Sequence, residues 1–279
     1  MRRVFAVLLS LCYMISFLAC SKDEKKKFVN QPPEDLSFYI INDSTAILTW
    51  NHSSNAISDD FLYYQVFSSN NTFPDDESLD TVGISDPLIT RSDSVEVPIE
   101  RLIRKHVMVK TVLNRQDQHR FSERSNLLVI AAPIFGIDTV WQVELGGDYH
   151  SGLGFNLTTG ATSYSMNTPT PSLIDFFFSS DSIGNPVIKS PSMYNSYYNV
   201  SYFKLLSGET NWLRYSTSIE NFTSTAITLP SLKPTFVVKT LNNHYAKVSI
   251  EQINSEPGTD FNSAIIKYSY QPIVGFICF

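Results

Sequence analysis

From residue 36 onward the chain is written in short runs in which apolar and polar residues alternate, each cut off by Pro, Asn, Asp or Gly. A period of two sends successive side chains to opposite faces of a strand, so such a chain is restricted to sheets with a buried face. Residues 36–41 (LSFYII) and 45–50 (TAILTW) alternate about an Asn42-Asp43-Ser44 turn and pair as a hairpin. Residues 61–67 (FLYYQVF) follow, then a long polar loop rich in Asp and Ser. Residues 94–98 (SVEVP), 107–113 (VMVKTVL) and 126–130 (NLLVI) complete a set of short strands whose number and spacing suit a β-sandwich. No long amphipathic helix interrupts the pattern; the best candidate, residues 99–105, makes about two turns. No fixed-period repeat occurs. The expected fold class is all-β.

The order of these pieces resembles a fibronectin type III domain. Pro33 comes early, Trp50 ends the second strand, Tyr64-Gln65-Val66 lies in the third, and the polar stretch 122–126 precedes the last. Lys105 stands where that family has a tyrosine, two residues ahead of Val107. The resemblance implies a sandwich over residues 34–132 with Trp50 and Tyr64 in its core, acting as a spacer or docking surface without chemistry of its own. His52, His106 and His119 fall in this block without metal-ligand spacing and read as surface or edge residues.

Ahead of the sandwich, Arg2 and Arg3 open a segment whose apolar run, residues 4–19, is shorter than the roughly 20 residues of a membrane-spanning helix. This is the layout of a secretory signal. It ends at small Ala19 and Cys20 rather than at an A-x-A site, which resembles a bacterial lipoprotein signal, with Phe17 where Leu is common. The resemblance implies that residues 1–19 are a signal peptide cleaved before Cys20. Cys20 then carries two or three acyl chains, and residues 20–33 form a lipidated tether ending in Pro32-Pro33. Each buried methylene contributes about 0.8 kcal/mol, so two or three chains anchor firmly. The run Ser21-Lys22-Asp23-Glu24 is similar to the surface-export signal of Bacteroidota lipoproteins, which implies attachment to the outer membrane facing the exterior; read plainly, it is a solvated tether.

Composition narrows the function classes. Of three cysteines, Cys12 leaves with the signal and Cys20 is lipidated, so Cys278 alone remains and no internal disulfide can form. A formal net charge of −6 without a basic stripe gives no reason to expect nucleic acid. The chain has no Gly-rich phosphate loop, Cys-His arrangement, distinctive carboxylate pair or G-x-S-x-G elbow, and is not expected to be an enzyme.

Ala131-Ala132-Pro133 closes the first block, and a second domain is expected over residues 133–279. Residues 155–160 (FNLTTG) read as a strand entering a turn, 235–250 as a hairpin across 241–244, and 264–271 as a final strand. Together with 173–178 (LIDFFF), 211–215 (NWLRY) and Tyr268-Ser269-Tyr270, these pieces resemble the HmuY family of haem-binding lipoproteins over residues 138–271. The resemblance implies an antiparallel β domain with a flat apolar cleft and one or two axial ligands for haem iron. Its first ligand position, nine residues before the strand that opens Tyr202-Phe203, falls on Met193; its second, five residues after Trp212, falls on Thr217. Thr is a poor ligand for haem iron, which leaves Met166 and His150, both in loop-like Gly- or Ser/Thr-rich stretches, as substitutes. His244 reads as a turn residue.

Tyr194, Tyr197, Tyr198, Tyr202 and Phe203 either stack on a flat ligand, pave an exposed sheet, or contact a glycan or protein. The expectation is a haemophore-like surface lipoprotein that captures haem or a related tetrapyrrole and passes it to an outer-membrane receptor. The rival is a non-catalytic glycan- or protein-binding lipoprotein, an adhesion module of the same fold.

Overall fold

Alternation becomes strand throughout the computed structural model, which describes residues 29–73, 87–145, 149–167, 171–206, 221–229, 234–255 and 263–279. The signal segment, Cys20, the first part of the tether, the Trp212 motif and Thr217 lie outside the described residues. The fold is all-β, with antiparallel sheets stacked in sandwiches.

Among the described residues, eight strands build the first sandwich: β1 (Glu34–Ile40), β2 (Thr45–Asn51), β3 (Phe61–Ser69), β4 (Leu88–Thr90), β5 (Ser94–Pro98), β6 (Lys105–Arg115), β7 (Gln118–Phe121) and β8 (Leu128–Ile130). One sheet runs β1-β2-β5 and the other β4-β3-β6-β7, with β8 also on β6. The β1–β2 hairpin has Tyr39 opposite Ile47 and Ile40 opposite Ala46. The alternate residues Leu36, Phe38 and Ile40 face inward with Leu48, Trp50, Val66 and Val109. Trp50 and Tyr64 are buried and meet edge to face, ring centroids 5.4 Å apart. His52 Nδ1 and Tyr64 Oη lie 2.9 Å apart, and the Ser53 N–H donates to the same oxygen.

The first sandwich departs locally from the sequence expectation. Residues 99–105 are not helical: Leu102 takes a φ of 64° and β6 already begins at Lys105. Lys105 itself is buried, and its ammonium donates to the Pro98 carbonyl at 2.8 Å, so its charge is met by backbone. The last strand starts at Leu128 rather than 126 because the Asn126 amide bonds both the N–H and the carbonyl of Leu36. Ser122 and Ser125 likewise accept the N–H groups of Thr111 and Val109 through their hydroxyls. His52 and His119 are exposed as expected, but His106 is half-buried and its pKa lies below the ordinary value because of that burial.

Among the described residues, ten strands build the second sandwich: β9 (Ile134–Trp141), β10 (Gly152–Asn156), β11 (Gly160–Tyr164), β12 (Phe176–Ser180), β13 (Pro186–Lys189), β14 (Tyr202–Leu206), β15 (Ala226–Thr228), β16 (Thr235–Lys239), β17 (Tyr245–Asn254) and β18 (Ser263–Gln271). They form two five-stranded sheets, β11-β10-β12-β13-β15 and β14-β16-β17-β18-β9. Phe176, Phe178 and Ile188 of one sheet pack against Phe236, Val238, Val248 and Ile266 of the other. Phe155 lies flat on Tyr270, centroids 5.3 Å apart at 8°. Such side chains each contribute roughly 1.5–3 kcal/mol when withdrawn from water.

Two glycines are fixed by geometry. Gly160 turns β10 into β11 with a φ of 86°, and a Cβ on Gly154 would lie 1.6 Å from the Leu173 carbonyl oxygen. The chain entering β12 therefore crosses directly over β10.

Candidate functional site

Because Phe176 and Phe178 point into the core, Phe177 and Ser179 emerge on the opposite face of β12. That outer face carries its own small cluster: Met166, Ile174 and Phe177, with Val143, Tyr164 and Tyr198 packed around them. It is covered by the loop that follows β13. Ser190 is fully buried at the loop's base, where its hydroxyl meets the Ser192 hydroxyl at 3.0 Å and accepts the Ser201 N–H at 3.0 Å. The Ser192 N–H donates to the Asn199 carbonyl, and the Asn199 amide donates to the Ser172 carbonyl at 2.6 Å. The loop is thus closed on itself and pinned to the 3-10 turn Pro171–Leu173 ahead of β12.

On this base the 3-10 turn Pro191–Met193 presents the candidate side chains. Met193 is about half exposed (52%). Tyr194 sets its ring edge-on to Phe177 at 5.9 Å and lies 6.1 Å from Tyr198. The Tyr194 hydroxyl donates to Asn167 Oδ1 at 3.4 Å and the Tyr198 hydroxyl to the Met166 carbonyl at 3.5 Å. Tyr197 projects almost entirely into solvent (94% exposed).

The remaining candidates fall differently. Met166 is not in an open loop: it is buried in the cluster under the tyrosines, with its sulfur 3.0 Å from where a Cβ on Gly152 would sit. His150 is exposed, its Nδ1 3.2 Å from the Ser163 hydroxyl and its carbonyl accepting the Trp141 N–H. Tyr202 is partly exposed but stands on β14, in the other sheet, opposite Lys239. Phe203 is wholly core. His244 lies in the β16–β17 turn, as expected, with its N–H on the Thr240 hydroxyl. The loop therefore gathers Met193, Tyr194, Tyr197 and Tyr198 over Met166, while Tyr202 belongs elsewhere.

Sequence reading missed several contributors. Trp141 and Tyr149 form an aromatic pair, centroids 5.1 Å apart, next to His150. Flanking Phe177 is a polar cluster in which Lys189 donates to the Ser179 hydroxyl at 2.7 Å and Ser179 donates to Glu144, with the Gln142 amide on Ser180. Lys189 is the direct cross-strand neighbour of Phe177. The signal for this face was the FFFSS run itself, whose middle phenylalanine must point away from the other two.

Beneath the site, Asp175 is buried, and its carboxylate accepts the Phe155 N–H at 2.7 Å. Burial raises its pKa to about 7, against the lowering effect of that hydrogen bond. The neighbouring Tyr270 phenol is pushed up to about 12 by burial, with the Asp175 charge adding to it. Among the described residues no group of three or more His, Cys, Asp or Glu side chains is arranged to hold a metal ion. The site offers exposed tyrosines, a half-exposed methionine and a polar margin.

No family model matches the chain, and no curated protein does. Among solved structures, a family 28 exopolygalacturonase from Yersinia enterocolitica matches at 15% identity and a TM-score of 0.24, over 43% of this chain and 23% of that one. This chain thus spans less than a quarter of that enzyme, and a likeness so slight carries neither fold nor activity across.

Proposed function

We propose that the protein is an outer-membrane lipoprotein, anchored through acyl chains on Cys20 and facing the exterior, that captures haem or a related tetrapyrrole for delivery to an outer-membrane receptor. The observation that carries this reading is the pinned loop 190–201, on which Met193 and Tyr194 are about half exposed and Tyr197 almost fully so. A thioether is a competent axial ligand for haem iron, and phenol rings stack on a flat macrocycle. The HmuY-like pattern of residues 138–271 points the same way. With Met166 buried, Met193 and His150 are the exposed thioether and imidazole among the candidates.

A second reading is favoured by the same buried Met166 and by the near-complete exposure of Tyr197: a non-catalytic module that docks a glycan or protein on the tyrosine loop. Exposed tyrosines with a polar margin suit sugar rings as well as porphyrins. Titrating hemin into the soluble chain from Ser21 onward separates the two. Haem capture predicts a Soret shift that Met193→Ala alters or abolishes. No Soret shift, or one untouched by that substitution, contradicts the ligand assignment; binding of a glycan lost in Tyr197→Ala would then support the second reading.

A further inference from the structure

Residues 272–279 belong to no strand, yet the segment ends in two buried side chains, Cys278 and Phe279. Their side chains alternate between two different cores. Phe276 and Cys278 pack with Trp50, Ile130 and Ala132 in the first sandwich. Ile277 and Phe279 pack with Val237, Tyr245 and Phe222 on the outer face of the second. The polar contacts alternate in the same way. Toward the first sandwich, the Cys278 thiol donates to the Ala131 carbonyl at 3.4 Å, 147 residues away in sequence. Arg104 donates to the Val274 carbonyl, and its guanidinium sits 5.0 Å from the Phe276 ring centroid. Toward the second, the Gly275 N–H donates to the Asn243 carbonyl in the β16–β17 turn at 2.8 Å. The fully buried Gln271 amide closes the segment by donating to the Cys278 carbonyl at 3.1 Å.

We infer that this segment is a two-faced strap that joins the two sandwiches into one cooperative folding unit. An extended segment shows its two faces at period two, so four residues suffice to place two side chains in each core. Separate domains joined by a short connection ordinarily move relative to one another unless the shared interface is large and apolar. Here the missing apolar surface is supplied by the strap, with Phe135 of β9 packed against the same core. The consequence is mechanical. The first sandwich then acts as a rigid stalk, and the face that carries the tyrosine loop keeps a fixed orientation to it.

Cys278 reports on the seam, because it is the one thiol left in the soluble chain from Ser21 onward and its side chain is wholly buried. Burial also pushes the thiol pKa up to about 12, so a thiol reagent must wait for opening. The test follows labelling of Cys278 by a thiol-reactive dye under native conditions, alongside calorimetric unfolding. The strap predicts a single transition and labelling no faster than global unfolding. It also predicts that Arg104→Ala and Phe279→Ala, one on each face, each speed labelling about tenfold or more while the tyrosine loop keeps its fluorescence. The chain shortened to residues 21–271 should show two separate transitions. Fast labelling of the unaltered chain, two transitions in it, or labelling indifferent to both substitutions would overturn the proposal.

Discussion

Asp175 shows how a single side chain sets the stability of the sandwich that carries the site. Its carboxylate takes the place of a strand partner for the Phe155 N–H, in a spot where water is excluded. Its pKa in the folded chain, about 7, lies above the ordinary 3.8, so between those values the folded state holds a proton that the unfolded state has released. Stability therefore falls as pH rises through this window and is flat above it. In Asp175→Asn the amide oxygen still accepts the Phe155 N–H but carries no charge. Urea unfolding at several pH values should show the decline between about pH 4 and 7 in the parent chain only, with the variant about 1–3 kcal/mol more stable at pH 8. Parallel pH profiles would show that Asp175 is not the group responsible.

At the scale of elements, the crossing of the chain over Gly154 aligns the outer face of β12 with the tyrosine loop. A methyl group there would overlap the Leu173 carbonyl, which is backbone and cannot swing aside. Gly154→Ala should cost about 2–4 kcal/mol in denaturant unfolding, and a change within about 0.5 kcal/mol would contradict the crossing. The strands of this fold were legible where one face is buried. Residues 45–50 and 264–268 alternate in burial, whereas residues 107–113, in the middle of a sheet, are buried at every position. What stayed illegible was set by partners distant in sequence. Met166 looks like a loop residue in its Ser/Thr-rich stretch, and only the arrival of Tyr198 and Phe177 makes it core. Lys105 could not be read as buried without knowing that Pro98 would present its carbonyl. Leu102 fits a helical pattern, but its φ of 64° is a tertiary demand that propensity does not record. Of the site, Met193, Tyr194, Tyr197 and Tyr198 share one loop and could be found together in sequence. Phe177 and Lys189 join them only through strand pairing.

For the whole molecule, the alternation of residues 276–279 between two cores ties the site to the stalk. Sequence alone does not mark this arrangement, because period two says that a segment has two faces and not what each face meets. The proposed capture role puts the ligand on the loop 190–201 of a rigidly held sandwich. Hydrogen exchange of the soluble chain with and without hemin tests this most directly, since it reads where a ligand sits as well as whether it binds. The account predicts that amides of residues 190–202 and 164–167 slow about fivefold or more while β1–β8 are unchanged. Protection confined to the first sandwich, or none at saturating hemin, would contradict it.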